Sequence, residues 1–195
     1  MSMRFLCMAG SISSATRKIC FISSPWPSPQ LVHGTTVTPC RISDRSRDDA
    51  AWQALGQLTT EIPIGPDRAP VWPKGSVGSI THARGHCACF AKGDPGWQAG
   101  VDIEAIASGH PLESILSMTA NQRERALIAR QTALPPDRLA TLLFSAKETL
   151  FKGLYPVVRR FLDSTVLNYG RPCERMLAAA PNTNPLQGIT CGRIL

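Results

Sequence analysis

The chain has 195 residues, 43% of them hydrophobic, enough for one core or two small halves sharing one and too few for several independent domains. Lys and Arg outnumber Asp and Glu by 21 to 14, a formal charge of +7 that suits either an acidic partner (phosphate, nucleic acid or an acidic protein) or ordinary solubility. Seven cysteines, odd in number and scattered from Cys7 to Cys191, lack the framework of a small secreted scaffold and fit a reducing cytoplasm, and no run approaches the ~20 apolar residues of a membrane-spanning helix.

The opening segment holds an apolar patch broken early by Ser and Gly, shorter than the ~7–15-residue core of a secretory signal. Residues 1–40 are rich in Ser, Thr and Pro, with "SSPWPSPQ" as the clearest low-complexity piece, so a disordered or atypical N-terminal segment is expected there. The ordered body is expected from residue 41 onward.

"DDAAWQALGQL" (48–58) places Ala51, Leu55 and Leu58 at helical spacing behind an acidic start and predicts a first amphipathic helix. "IPIGPDRAPVWPKGSVGS" (62–79) mixes prolines and glycines with apolar residues and reads as short extended pieces joined by turns. Ile80, His82 and the run Cys87–Ala91 suit a buried strand. "KGDPGW" (92–97) is turn material, and "QAGVDIE" (98–104) resumes the extended pattern, so two neighbouring strands with a tight connection are expected.

"TANQRERALIARQ" (119–131) predicts a charged helix capped by Thr119 and carrying Glu124, which is expected to stand outside the chemistry. From Pro136 to Tyr155, Leu139, Leu142, Leu143, Ala146, Leu150 and Leu154 form an apolar stripe that Pro156 should end. After Asp163 the pattern weakens, and "AAAPNTNPLQG" reads as loop.

Side chains two apart on a strand share a face, so Asp102 and Glu104 present two carboxylates together while Val101 and Ile103 turn into the core. Paired carboxylates repel unless a proton or cation stands between them, and Mg²⁺, a hard ion often completed by substrate phosphates, is a natural occupant. A solvated strand end is the plainer alternative. On "FSAKETLFKGLYP" (144–156), Glu148 and Lys152 are four apart and share a face with Lys147 adjacent in sequence, which is either an ion pair or a third acidic ligand facing a phosphate-binding lysine. "GSITHARGH" adds Thr81, His82 and Arg84 among small residues. A zinc reading of His82, His86, Cys87 and Cys89 lacks the separated ligand pairs of structural zinc sites. No zinc-finger spacing, aromatic RNA-binding run or long basic helix supports a nucleic-acid partner.

Together, "APVWPKGSVGSITH" (69–82), "GVDIE" (100–104) and "FSAKETLFKGLYP" (144–156) resemble, in order and spacing, the three motifs of the 4′-phosphopantetheinyl transferase superfamily, with its enterobactin synthetase component D group in particular. The resemblance implies an α+β fold of two pseudo-symmetric halves, here 41–98 and 99–195, with the active site in the cleft between them. It implies transfer of the phosphopantetheine arm of coenzyme A to a serine of an apo acyl, peptidyl or aryl carrier protein, releasing adenosine 3′,5′-bisphosphate. Asp102, Glu104 and Glu148 become the Mg²⁺ ligands, and Glu148 or Glu104 the acceptor of the serine proton. Thr81 and His82 become contacts to the coenzyme's 3′-phosphate, with Lys147 and Lys152 near its pyrophosphate. A monomeric cytoplasmic enzyme of secondary metabolism, such as siderophore assembly, is the implied setting, and a non-catalytic coenzyme A- or carrier-binding protein is the alternative. Two departures stand out: an arginine-bearing "AGR" segment is replaced by "DRSRDDAAW", with Arg45 and Arg47 out of register, and the closing strands after residue 163 are hard to recognise.

Overall fold

The computed structural model describes residues 5–13, 18–25, 30–32, 35–41, 62–83, 86–92, 96–130, 134–160 and 189–193, with side-chain detail over 62–83, 89–91, 96–130 and 134–160. The expected helix at 48–58, Arg45, Arg47 and the loop after Asp163 lie outside the described residues.

Two four-stranded antiparallel sheets and a run of three helices give an α+β architecture. The first sheet joins β1 (Phe5–Ser13), β2 (Lys18–Pro25), β7 (Trp97–Ala105) and β8 (Ile189–Arg193) in the order β7-β1-β2-β8. The second joins β3 (Gln30–Val32), β4 (Thr35–Arg41), β5 (Val77–Ala83) and β6 (His86–Lys92) in the order β3-β4-β6-β5. The segment expected to be disordered thus carries four strands. Its Ser and Thr residues are compatible with extended backbone, and β-branched and aromatic residues such as Ile12, Ile19, Phe21 and Ile22 supply the preference for it. The strands on either side of "KGDPGW" follow one another in the chain but do not pair: β6 lies between β4 and β5, whereas β7 pairs with β1.

The helices among the described residues are α1 (His110–Thr119), α2 (Gln122–Arg130) and α3 (Pro136–Val158). The sequence reading passes over α1, which begins at His110 after Gly109 at φ 63° and carries Pro111 in its first turn. Thr119 does not cap α2. It is the buried last residue of α1 and donates its hydroxyl to the Ile115 carbonyl. The cap is Asn121, whose Oδ1 accepts from the Glu124 N–H at 2.9 Å while Glu124 Oε2 accepts from the Asn121 N–H at 2.8 Å, a reciprocal capping box. Pro156 does not end α3 at Tyr155. It sits in the last turn, where the ring forgoes one bond to the Lys152 carbonyl, and the helix closes when Arg159, at φ 50°, donates its N–H to the Tyr155 carbonyl.

The core lies where α3 runs back along β7. Val101 and Ile103 are fully buried against a helix face holding Leu139, Leu143, Ala146 and Leu150, as the two hydrophobic periods predict. The approach is close enough that a Cβ on Gly100 would collide with the Thr149 carbonyl, which makes the glycine that opens "GVDIE" a packing requirement. Gly78 plays the same part for Trp72, whose indole covers the space a Cβ would take.

Candidate functional site

The edge of β7 away from β1 meets β5. These two edge strands come from different sheets and are joined through side-chain hydroxyls: Ser79 Oγ accepts from the Val101 N–H at 3.0 Å and Thr81 Oγ1 from the Ile103 N–H at 3.4 Å. The alternation of β5 follows from that seam. Ser79 and Thr81, 3% and 4% exposed, point inward, whereas His82 is exposed on the opposite face. Of the residues expected in a buried strand, Cys89, Phe90 and Ala91 are buried, whereas Ile80 is half-buried and His82 exposed, because a hydroxyl can substitute for a ladder acceptor and the inward face of β5 is the polar one.

Asp102 is buried at this seam, 2% exposed, and is no solvated strand end. Its Oδ1 accepts from Lys152 Nζ at 2.6 Å and from the Thr81 hydroxyl at 3.1 Å. Lys152 also donates to Thr81 Oγ1 at 3.2 Å and to the Val101 carbonyl at 3.3 Å, so its three N–H groups meet three acceptors. The second oxygen of Asp102, Oδ2, is buried without a hydrogen-bond partner, and a bare carboxylate oxygen held in the interior is what a hard cation would satisfy.

One turn before Lys152, Glu148 faces the same cluster. Its burial pushes the carboxyl above its ordinary range, the Lys152 ammonium pulls it partly back, and the Asp102 charge adds to the rise. Glu104 lies two residues along β7 and is partly exposed. Among the described residues no three His, Cys, Asp or Glu side chains are gathered into a ready metal-binding group, so the structure brings Asp102 and Glu148 into one electrostatic neighbourhood without closing a three-carboxylate cage. Cys89 is fully buried, and burial drives its thiol far above the usual range, the opposite of a zinc-binding thiolate.

Lys147 stands apart from Lys152. Five residues along a helix turn the side chain by roughly 140°, from ~100° per residue, and Lys147, 1% exposed, donates to Glu124 Oε2 at 2.8 Å and to the Thr119 carbonyl. The Lys147 side chain, expected near a pyrophosphate, is here engaged by Glu124 and Thr119 and not by the Asp102 cluster. Glu124, read from the sequence as part of a charged helix, is 3% exposed and is the counter-ion of Lys147. The N-x-x-E spacing of Asn121 and Glu124 was the available signal for its inward turn.

The profile described as the 4′-phosphopantetheinyl transferase N-terminal domain matches residues 45–92, and that of the 4′-phosphopantetheinyl transferase superfamily matches residues 98–180. The chain is 39% identical over 115 residues to the 4′-phosphopantetheinyl transferase Svp of Streptomyces mobaraensis, covering 56% of this chain and 46% of that protein. It is 39% identical over 91 residues to enterobactin synthase component D of Salmonella typhi, covering 46% of this chain and 37% of the relative. It is 33% identical over 118 residues to the 4′-phosphopantetheinyl transferase PptT of Mycobacterium tuberculosis, covering 57% and 48%. The chain spans about half the length of the curated relatives it matches. With two profiles of one superfamily matched in chain order, and with "GVDIE" of β7 and the motif helix α3 both inside the second match, the chain belongs to the 4′-phosphopantetheinyl transferase superfamily.

Proposed function

We propose that the protein transfers the phosphopantetheine arm of coenzyme A to a serine hydroxyl of an apo carrier protein, with the coenzyme seated along the seam where β5 of one sheet meets β7 of the other. The observation that carries this reading is the buried Asp102–Lys152–Thr81 cluster with Glu148 beside it, a charged group that core packing does not require and that phosphate chemistry does. The serine oxygen forms a bond to the β-phosphorus of coenzyme A as the bond from that phosphorus to the bridging oxygen breaks, and adenosine 3′,5′-bisphosphate leaves. No nucleophile from the enzyme is required.

Asp102, through its bare Oδ2, and Glu148, with Glu104 as third candidate, would hold Mg²⁺; their hard oxygen donors fit that ion. When bound, the ion neutralises charge on the pyrophosphate. Glu148 and Glu104 are the candidate acceptors of the serine proton. Lys152, 26% exposed, would offer an N–H to a phosphate oxygen in exchange for the Val101 carbonyl. His82, exposed at the outer face of β5, remains a candidate contact to the 3′-phosphate.

The carrier is proposed to approach α1 and α2, where Met118 is 61% exposed and Arg123 and Arg130 are exposed, a surface that suits an acidic helix. No described helix is long and apolar enough to cross a membrane. Incubating the purified protein with MgCl₂, coenzyme A and a panel of apo carriers, and weighing the carriers by mass spectrometry, tests the reading. A phosphopantetheine mass gain on at least one carrier is expected. Retained coenzyme A binding with no gain on any carrier would leave a binding protein instead.

A further inference from the structure

We infer that Thr81 is a positioning residue that fixes Asp102 and Lys152 in place, and that its hydroxyl does not touch the coenzyme. The inference rests on the transferase reading and assigns Thr81 a different job from the 3′-phosphate contact expected from the sequence. A threonine hydroxyl has one proton and two lone pairs. Here the proton goes to Asp102 Oδ1, and the lone pairs take N–H groups from Lys152 at 3.2 Å and Ile103 at 3.4 Å. At 4% exposure nothing is left to offer a ligand. The neighbouring His82 points the other way, so the Thr-His pair cannot grip one phosphate from both side chains.

The hydroxyl instead decides which oxygen of Asp102 is occupied. Oδ1 is tied to Thr81 and Lys152 while Oδ2 stays bare. Without the Thr81 bond the carboxylate can turn about its last torsion, and either oxygen could take the Lys152 ammonium. A ligand held by an outer partner loses much of its effect when that partner goes, typically ~10–100-fold in metal affinity or activity.

Ser79 supplies the control within the same strand, since its hydroxyl makes the equivalent seam bond to the Val101 N–H. The variants Thr81→Val, Thr81→Ser and Ser79→Ala are compared with coenzyme A and with 3′-dephospho-coenzyme A as donors. Thr81→Val, which keeps the β-branched shape, is expected to lower kcat roughly 10–100-fold by the same factor for both donors, with KM for either within about twofold. Thr81→Ser is expected to recover to within about threefold, and Ser79→Ala to lower Tm without moving kcat. Independently of turnover, Mn²⁺ binding followed by electron paramagnetic resonance is expected to weaken roughly tenfold in Thr81→Val and to hold in Thr81→Ser.

A loss confined to KM and to the 3′-phosphorylated donor would make Thr81 a phosphate contact and overturn the inference. Equal losses in Ser79→Ala and Thr81→Val would reduce it to a seam residue, and unchanged Mn²⁺ binding in a folded Thr81→Val would also sink it. Absence of transfer by the parent protein counts against the transferase reading alone, and the Mn²⁺ comparison still decides the role of Thr81.

Discussion

At the scale of single residues, the buried carboxylate on β7 carries the most weight. Asp102 keeps one oxygen on Lys152 and Thr81 and leaves the other bare in the interior, an arrangement with a cost unless something else binds there. Asp102→Asn replaces that oxygen or its partner with an N–H₂ donor that faces the Lys152 ammonium, and kcat is expected to fall by ~10²–10³ or more, with the circular dichroism spectrum unchanged. Glu148 makes a different prediction because its ionised form is penalised by the fold. An acid whose folded pKa is raised above its unfolded value destabilises the folded state at pH above both and is silent below both. Glu148→Gln is therefore expected to raise Tm at pH 8 while abolishing transfer, and the gain in Tm should fade as the pH falls toward the unfolded carboxyl value of about 4.3. A thermal scan across pH checks both the sign and the window. The family resemblance singles out Asp102 and Glu148 together, and their places on a strand and a helix were legible in the sequence. That Thr81 serves Asp102 was not, because the bond joins residues 21 apart across a seam between two sheets, and no local pattern encodes which face of β5 turns toward β7.

At the scale of elements, the pair Glu124–Lys147 clamps α2 to the helix that carries Glu148. Glu124 Oε2 meets the Asn121 N–H and Lys147 Nζ together, so one carboxylate caps α2 and neutralises an ammonium buried on α3. The sequence reading places Glu124 outside the chemistry and says nothing of its weight in the fold. With Lys147 as its buried partner, Glu124→Ala is expected to lose about 3–5 kcal/mol of stability, the usual cost of stranding a buried charge, read as a lowered midpoint in urea. The double variant Glu124→Leu with Lys147→Met removes both charges at similar volume and should recover most of that loss, while Asn121→Ala alone should cost about 1 kcal/mol. The long stripe of α3 was readable because six apolar positions repeat at helical period. The start of α2 was misplaced from Asn121 to Thr119 because both residue types cap helices, and only the return bond from Glu124 tells them apart. α1 went unread because "HPLESILSMT" is short, with a single first-turn acid and no basic residue in its last turn.

At the scale of the whole molecule, the strand that carries Asp102 depends on the part of the chain that looked least structured. Among the described strands β7 pairs by a backbone ladder with β1, which sets Met8 opposite Asp102 and Leu6 opposite Glu104, and β1 is in turn flanked by β2. On its other side β7 meets β5 through two hydroxyl bonds, not a backbone ladder. Composition alone cannot reveal this dependence, because a strand's place in a sheet is fixed by partners distant in sequence and Ser-rich segments suit both coil and edge-protected strands. Deleting residues 1–25 would strip β7 of β1, its ladder partner among the described strands, and leave a row of unpaired N–H and C=O groups along a strand buried from Ala99 to Ile103. Such an edge is a template for pairing between chains. The truncated protein is expected to elute as aggregates in size-exclusion chromatography and to lose its cooperative thermal transition, even though all three motifs remain in the sequence. A monomeric, cooperatively folding truncation with coenzyme A binding intact would show that α3 and the hydroxyl seam to β5 suffice to hold "GVDIE" in place.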